Sequence, residues 1–401
     1  MKPLTDREAL DLILANVPPP RIEPLPLLKA VGHALAEDVA ADRDFPPWPK
    51  SLMDGFAARS VDIAAAPVEL DVVAEVHAGR TPERPLGPRQ AIRIMTGAPV
   101  PEGADCVVNC ERTSPIDGGK RVRIVEGVRP GANITPRGLE ARAGERLIAA
   151  GTRLRAQEIA VLASVGHTEV RVYRHPTCAI LVTGDELVEA DCEPHGAQIR
   201  NSNAYGLCTQ AMSARMPFAY LGIAADDREI LRQRLRAAFL ADVVLTSGGV
   251  SAGDRDLVKE CLAAEGAEIL FDQVKIKPGK PLTFARKGKT RIFALPGNPV
   301  ATFVGFEVFV RPFVAAFACD PSLRRPVVRA RLRAPIKKSG DRTQYLPACA
   351  EFGEAGWTVA EAAWHGSGDA VGLARANALA IVPLDSQALE AGAAVETMLL
   401  E

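Results

Sequence analysis

The chain has 401 residues, 47% of them hydrophobic and 24% charged, with a formal net charge of −1. That length exceeds what one ordinary core organises, so several domains are expected. The near-neutral balance gives no electrostatic case for duplex nucleic acid or an anionic membrane surface, and any anion site must be local.

The opening stretch, MKPLTDREALDLILANV, carries Asp6, Arg7, Glu8 and Asp11 and has no uninterrupted apolar h-region. It does not read as a signal peptide, and the expected location is the cytoplasm. Residues 5 to 16 read as a helix, with Thr5 as N-cap and Glu8 completing a capping box. Five prolines then break helicity across VPPPRIEPLPLL. From about 68 to 128, short apolar or alternating runs separated by Gly and Pro turns suggest an all-β module. A short helix ending at Gly166 and a strand, TEVRVYR, follow.

From Thr177 the pattern changes to strand–helix alternation: CAILVTG, NAYGLCTQAMSA, AYLGIAA, DDREILRQRLRAAF, DVVLTS, ILFDQVKI and TRIFALPG. Such alternation implies an open α/β domain with a mostly parallel sheet. The most apolar stretch, Val300 to Ala318, is interrupted by Glu307, Arg311 and Pro312, and reads as a buried helix rather than a membrane span. Beyond Pro326 short strand-like runs resume, giving a small closing β domain. The eight cysteines are scattered, and only Cys106 and Cys110 are close. With no second pair or nearby His they read as reduced structural thiols sharing one face of a strand.

In an open α/β sheet, ligands bind beyond the carboxyl ends of the strands. Five successive ends carry residues that do not build cores: Gly184-Asp185-Glu186; Asp226-Asp227; Ser247-Gly248-Gly249 with Ser251 and Asp256 beyond; Lys275, Lys277 and Lys280; and Pro296-Gly297-Asn298-Pro299. A strand running into a Gly/Ser loop that opens a helix points backbone N–H groups at one place, which makes an oxyanion cradle. Lys277 and Lys280 suit the same charge. Glu186, Asp226 and Asp256 offer hard oxygen ligands without His or Cys, a set that suits Mg2+ shared with a substrate phosphate. Asp226 also has an alternative role as a helix N-cap. Ser51–Phe56 and Met95–Pro101 read by themselves as compact turns.

Together the words SLMDGFA (51–57), MTGAPVPEGADCVV (95–108), TGDEL (183–187), TSGGVSAGDRD (246–256), KPGKP (277–281) and LPGNPVATF (295–303) resemble one family. It is the MoeA-type molybdopterin molybdenumtransferases, related to the gephyrin E domain, and the resemblance covers essentially the whole chain. It implies a multidomain α/β plus β protein. The central open α/β molybdopterin-binding domain would span 175–325, a β-rich inserted domain 46–138, an elongated domain 1–45 with 139–174, and a C-terminal β domain 326–401.

The resemblance further implies insertion of molybdenum from molybdate into adenylylated molybdopterin, with Mg2+ and release of AMP. It also implies a homodimer in which the Asp54 loop of one subunit faces the α/β domain of the other. Molybdopterin adenylyltransferase and molybdoenzyme-maturation proteins are the implied partners. By matching position the functional residues are Asp54, Thr96, Glu186, Asp226, Asp256, Lys277, Lys280, Pro296, Pro299 and Ser367. Two positions depart from the family pattern: Glu140 stands in an expected Asp position, and Arg342 is displaced from where a guanidinium is usual. The rival activities are pterin adenylylation on the same α/β domain and a scaffold that keeps the fold without the chemistry.

Overall fold

The computed structural model describes residues 2–249, 257–337, 340–386 and 388–400. It divides into two compact units. One holds residues 1–25, 32–36 and 171–401, and the other holds 26–31 and 37–170.

The first unit opens with α1 (Asp6–Ala15), whose Thr5–Glu8 capping box is present as expected. In the second unit a six-stranded sheet is built from β1 (Gly55–Ala58), β2 (Val68–Val76), β3 (Gln90–Ile94), β4 (Cys106–Asn109), β5 (Thr113–Ile116) and β6 (Arg121–Ile124). Its order is β4-β1-β3-β2-β6-β5. Strand β1 lies inside the sheet with all four residues buried, so part of the SLMDGFA word is strand rather than turn. Alternation works here as sequence periodicity requires. Phe56 and Ala58 pack into one cluster with Val122 and Ile124, and Ala57 into the other with Ile92 and Ile94. Cys106 and Cys110 do not share a face: Cys106 is buried in β4, whereas Cys110 begins a 3-10 turn and is exposed. Helix α2 (Ala156–Ser164) completes this unit.

The α/β part of the first unit runs β7 (Cys178–Thr183), α3 (Ser202–Ser213), β8 (Phe218–Ala224), α4 (Arg228–Ala238), β9 (Val243–Ser247), α5 (Leu257–Ala264), β10 (Glu268–Phe271). It continues with β11 (Ile276–Lys277), β12 (Thr283–Lys287), β13 (Thr290–Leu295) and α6 (Pro299–Gly305). The sheet order is β8-β7-β9-β13-β12-β10. Strands β8, β7, β9 and β13 pair in parallel, and β12 and β10 add antiparallel pairings at one side. Period-2 alternation fills both faces. Ile180, Leu245 and Phe293 enter one core with Leu207 of α3, while Leu181, Val244 and Ile292 enter the other with Leu231 and Leu235 of α4. The fold class expected from the sequence is the one observed. Two local expectations are not: β12 is a separate strand, and ILFDQVKI ends as a strand at Phe271. Lys277 therefore sits on the two-residue β11, which pairs outside this sheet.

From Pro299 to Phe317 the chain is helical, 83% buried over its most apolar window, which fits a core helix. Glu307, Arg311 and Pro312 fall where α6 widens into a π-turn (Phe306–Val310) before α7 (Arg311–Phe317). Widening the helix accommodates Pro312, which has no N–H to give. Glu307 is 1% exposed, yet it accepts from Arg311 Nε at 2.5 Å, Arg325 Nε at 2.9 Å and Gln210 Nε2 at 2.8 Å. Burial pushes its carboxyl up, but the two guanidiniums outweigh that and hold it below the usual range.

The C-terminal part contains β14 (Val327–Leu332), β15 (Thr343–Gly353), β16 (Gly356–Glu361), α8 (Ala370–Ala374), β17 (Ala378–Val382) and β18 (Ala394–Leu399). The sheet order is β11-β15-β16-β14-β18-β17, and β15 also pairs with β17, which closes five strands into a barrel. The longest of these, β15, includes Pro347 and was not read as a strand from the sequence. Helix α1 is fastened to it: Asp6 accepts from Tyr345 Oη at 2.8 Å and from Thr343 Oγ1 at 3.1 Å.

His33 and His175 stack with ring centroids 4.4 Å apart. Burial first, and the neighbouring imidazole second, lower the His175 pKa to about 4. An unfolded His titrates near 6.5, so between those two pH values only the unfolded chain takes up the proton. Stability is fully present above pH ~6.5 and is lost as pH falls toward 4, by on the order of 3 kcal/mol. Urea unfolding across that window should show the slope, and His175→Gln should flatten it whatever its effect on the absolute midpoint.

Candidate active site

The parallel ladders end together. Val182 of β7 stands opposite Ser247 of β9, and Ser247 opposite Leu295 of β13. Just past these ends the chain turns in a way that only glycine permits. Gly248 has φ +95°, and a Cβ there would lie 2.2 Å from the Thr183 carbonyl oxygen. At Gly249, φ +66°, a Cβ would lie 2.6 Å from Val258 Cγ2. Missing side chains at these two positions let two strand ends close on each other and leave the backbone as the cavity wall.

That cavity has a volume of 310 Å3 and is lined by Glu186, Asp226, Gly248, Gly249, Pro296, Gly297 and Asn298, with Thr183, Gly184 and Pro281. Seven of the residues singled out in the sequence therefore meet on one surface. A 70 Å3 cavity adjoins it through Thr183, Glu186, Gly248 and Gly297, and adds Ser247, Pro299 and Asn203. Ser367, on the loop before α8, accepts a hydrogen bond from Asn298 Nδ2 at 2.8 Å, and its carbonyl accepts from Val300 N at 3.0 Å. A second, larger cavity of 530 Å3 lies in the other unit between Ser60 and Pro130 and contains none of the predicted residues.

The acids behave as an unneutralised group. The N-cap of α4 is Asp227, whose carboxylate accepts from Glu229 N at 2.9 Å and Ile230 N at 3.0 Å. Asp226 is thereby released from the capping role that the sequence allowed it. Its side chain reaches solvent, but partial desolvation, then Asp185 and Glu186, push its carboxyl pKa up. The Glu186 carboxylate folds over Gly184, where a Cβ would come within 2.7 Å of Oε2. Repelling carboxylates around a polar cavity are a donor set that fits a divalent cation. Among the described residues no group of three or more His, Cys, Asp or Glu side chains is placed to hold a metal ion, so a cation here would draw on two of these acids and its substrate. Ser251 and Asp256 lie outside the described residues.

The basic residues approach by another route. Lys277 is half-buried on β11, paired with Thr343 and Gln344 of the barrel. Arg342 Nη1 lies 3.4 Å from the Ile276 carbonyl beside it. Lys280 is exposed, one residue before cavity-lining Pro281.

In the other unit, Asp54 and Thr96 meet although 42 residues separate them. Asp54 Oδ1 accepts from Thr96 N and Thr96 Oγ1, both at 2.7 Å. Those bonds, backbone first, hold its carboxyl below the ordinary range. The two words are zipped by Ser51 N to the Ala98 carbonyl at 2.9 Å and Gly97 N to the Ser51 carbonyl at 2.8 Å. Glu140 pairs with Lys50 Nζ at 2.9 Å in the same unit.

Family models match three successive stretches: "MoeA N-terminal region (domain I and II)" over residues 4–166, "Probable molybdopterin binding domain" over 179–316, and "MoeA C-terminal region (domain IV)" over 329–400. A molybdopterin molybdenumtransferase of Staphylococcus epidermidis is 35% identical, covering 100% of this chain and 96% of that protein. The chain belongs to the MoeA family. A MoeA-family relative from Staphylococcus aureus, of the same name, is 33% identical with the same coverage of both chains. The crystal structure of a molybdopterin biosynthesis MoeA protein from Pyrococcus horikoshii superposes with a TM-score of 0.85 at 30% identity, covering 100% of both chains.

Sequence reasoning did not find Asn203 and Thr302, which hold the turns in place from α3 and α6. The partners of Asn203 are 44 to 99 residues away, and only its place in an Asn-Ser-Asn helix start marked it. The glycine geometry is testable. Gly248→Ala should destabilise by about 2 kcal/mol or more, combining left-handed strain with the backbone clash. Gly196→Ala, with φ +61° and open space around it, should lose only about 1 kcal/mol. Urea denaturation of both variants checks the difference, and equal losses would remove the close-approach argument.

Proposed function

We propose that the chain inserts molybdenum from molybdate, or its near-isostere tungstate, into adenylylated molybdopterin with Mg2+-dependent release of AMP. By family and by the names of its full-length relatives it is a transferase of molybdenum-cofactor biosynthesis. What carries the finer reading is the convergence of Glu186 and Asp226 with the Gly248–Gly249 and Pro296–Asn298 turns on one cavity. Hard carboxylate oxygens beside exposed backbone suit a divalent cation that a substrate phosphate helps to hold.

Glu186, Asp226 and Asp256 would hold Mg2+, which when bound supplies Lewis acidity at the pyrophosphate. Gly249 receives a phosphate oxygen with its backbone N–H, alongside Ser251, while Gly248 and the buried Ser247 shape the turn behind it. Pro296, Gly297, Asn298 and Pro299, backed by Ser367, form the facing wall. Lys277 and Lys280 hold the negative charge of phosphate or oxyanion as point charges. Asp54, kept ionised by Thr96, relays protons as molybdate oxygens leave as water.

The reading extends to a cytoplasmic homodimer, in which Asp54 is presented by a second copy of the chain. Leu52 and Met53, exposed at 54% and 40% beside Asp54, give that loop an apolar surface to cover. A pterin adenylyltransferase and molybdoenzyme-maturation proteins are its expected partners.

The purified protein, given adenylylated molybdopterin, molybdate and Mg2+, should release AMP, and chelation of the metal should stop it. Glu186→Gln and Asp226→Asn should each lower turnover by about 100-fold or more. Metal-independent AMP release would overturn the assignment. Because Asp226 holds its proton more tightly than an ordinary carboxyl, Mg2+ affinity should fall as pH drops through that raised pKa. Calorimetric Mg2+ titrations should show this dependence weakened in Asp226→Asn.

A further inference from the structure

Beyond the last paired residues of the sheet, no ladder holds the Gly248 turn against the Gly297 turn. The β9–β13 pairing stops at Ser247 and Leu295, and among the described residues the one backbone bond further on, Gly248 N to the Leu295 carbonyl, is long at 3.4 Å. The turns nevertheless touch, since a Cβ on Gly297 would lie 3.5 Å from Gly248 Cα. Side chains span the gap instead, and the Asn203 amide reaches both turns at once. Asn203 Nδ2 donates to Ser247 Oγ at 2.9 Å and to the Gly297 carbonyl at 2.6 Å, with Thr302 Oγ1 at 3.4 Å. Every neighbour of that nitrogen is an acceptor in this arrangement, so the amide has one orientation. Ser247 is fully buried, and its hydroxyl donates in turn to the Pro296 carbonyl at 3.2 Å.

Asn203 is itself anchored. It lies in the first turn of α3, where the N-cap Asn201 accepts from Ala204 N at 3.1 Å. Asn201 Nδ2 donates to Tyr220 Oη at 2.7 Å, and Tyr220 Oη donates to Glu189 Oε1 at 2.7 Å. Ile199 N also bonds the Glu186 carbonyl at 2.8 Å. The segment bearing the acids and the two turns are thus joined through one helix start.

We infer that Asn203 is a positioning residue that fixes the spacing of the Gly248–Gly249 and Pro296–Asn298 turns, and with it the alignment of the phosphate-bearing substrate toward the acids. The nature of that substrate rests on the function proposed above; the clamp itself does not. A carboxylate in place of the amide would face the Gly297 carbonyl with no donor until it took up a proton. Misplacement of a reacting group chiefly slows turnover, because binding contacts survive while alignment is lost.

Full-length wild type, Asn203→Ala and Asn203→Asp should be compared for AMP release, thermal melting and amide hydrogen exchange. Asn203→Ala should lower kcat by about 10- to 100-fold with KM within about threefold, and melt close to wild type. Exchange at Gly248 and Val300, whose N–H groups bond the Leu295 and Ser367 carbonyls on either side of the clamp, should quicken in it. The kcat of Asn203→Asp relative to wild type should rise at least about fivefold between pH 8 and 5.5, as the protonated acid restores one donor. Two results would overturn the inference: kcat within about twofold of wild type with unchanged exchange, or a kcat loss tracked by a collapse in melting with a flat pH ratio. If wild type itself releases no AMP, the proposed function fails, and exchange at Gly248 and Val300 still decides whether Asn203 clamps the turns.

Discussion

Three parallel strands ending in register impose a demand that little chemistry can meet. Their last residues stand at strand spacing, and the chain beyond them must turn without filling the space between. Gly248 meets that demand by letting its backbone lie against the Thr183 carbonyl, where a Cβ would come within 2.2 Å. The cavity wall is then peptide rather than side chain. The acids after β7 and β8 and the proline-flanked turn after β13 can all face it.

Charge follows from this geometry. The cations that neutralise acids elsewhere in the chain are committed to other places: Arg311 and Arg325 to Glu307, and Arg174 to Asp242 at 2.8 Å. Around Asp226, desolvation first and then the carboxylates of Asp185 and Glu186 raise its proton affinity. A protein that gathers like charges at a strand edge while pairing those in its core stores the repulsion where a cation can relieve it. In the β module the reverse holds for Asp54, whose charge Thr96 stabilises with two donors.

The sheet, its helices and most of its edge residues could be read from local pattern, since period-2 and period-3.6 repeats report burial directly. Glycines at strand ends also announced themselves, because their positions match the turns that require them. Other features depended on distant partners. Pro347 obscured β15, whose strand geometry is enforced by pairing with β16 and β17. Strand β12, Thr283–Lys287, was passed over between two stronger apolar runs, and its antiparallel pairing with β13 defines it. Asp226 had a possible cap role on paper, and the placed carboxylate of Asp227 takes that role instead. Lys277 looked like the end of an α/β strand, but its ladder partner is Gln344 of the barrel.

That last pairing bears on how the chain can be divided in evolution and in the laboratory. Strand β11 leaves the α/β sheet to take its hydrogen bonds from the barrel, and α1 is bonded to the same barrel strand through Asp6. The apolar core on one face of the sheet counts Tyr345 and Leu379 among its buried members. Residues 179–316 resemble an independent module in the linear sequence, yet excising them would open an unpaired strand edge and uncover an apolar face together. In this chain the α/β and barrel segments therefore share one ladder and one core.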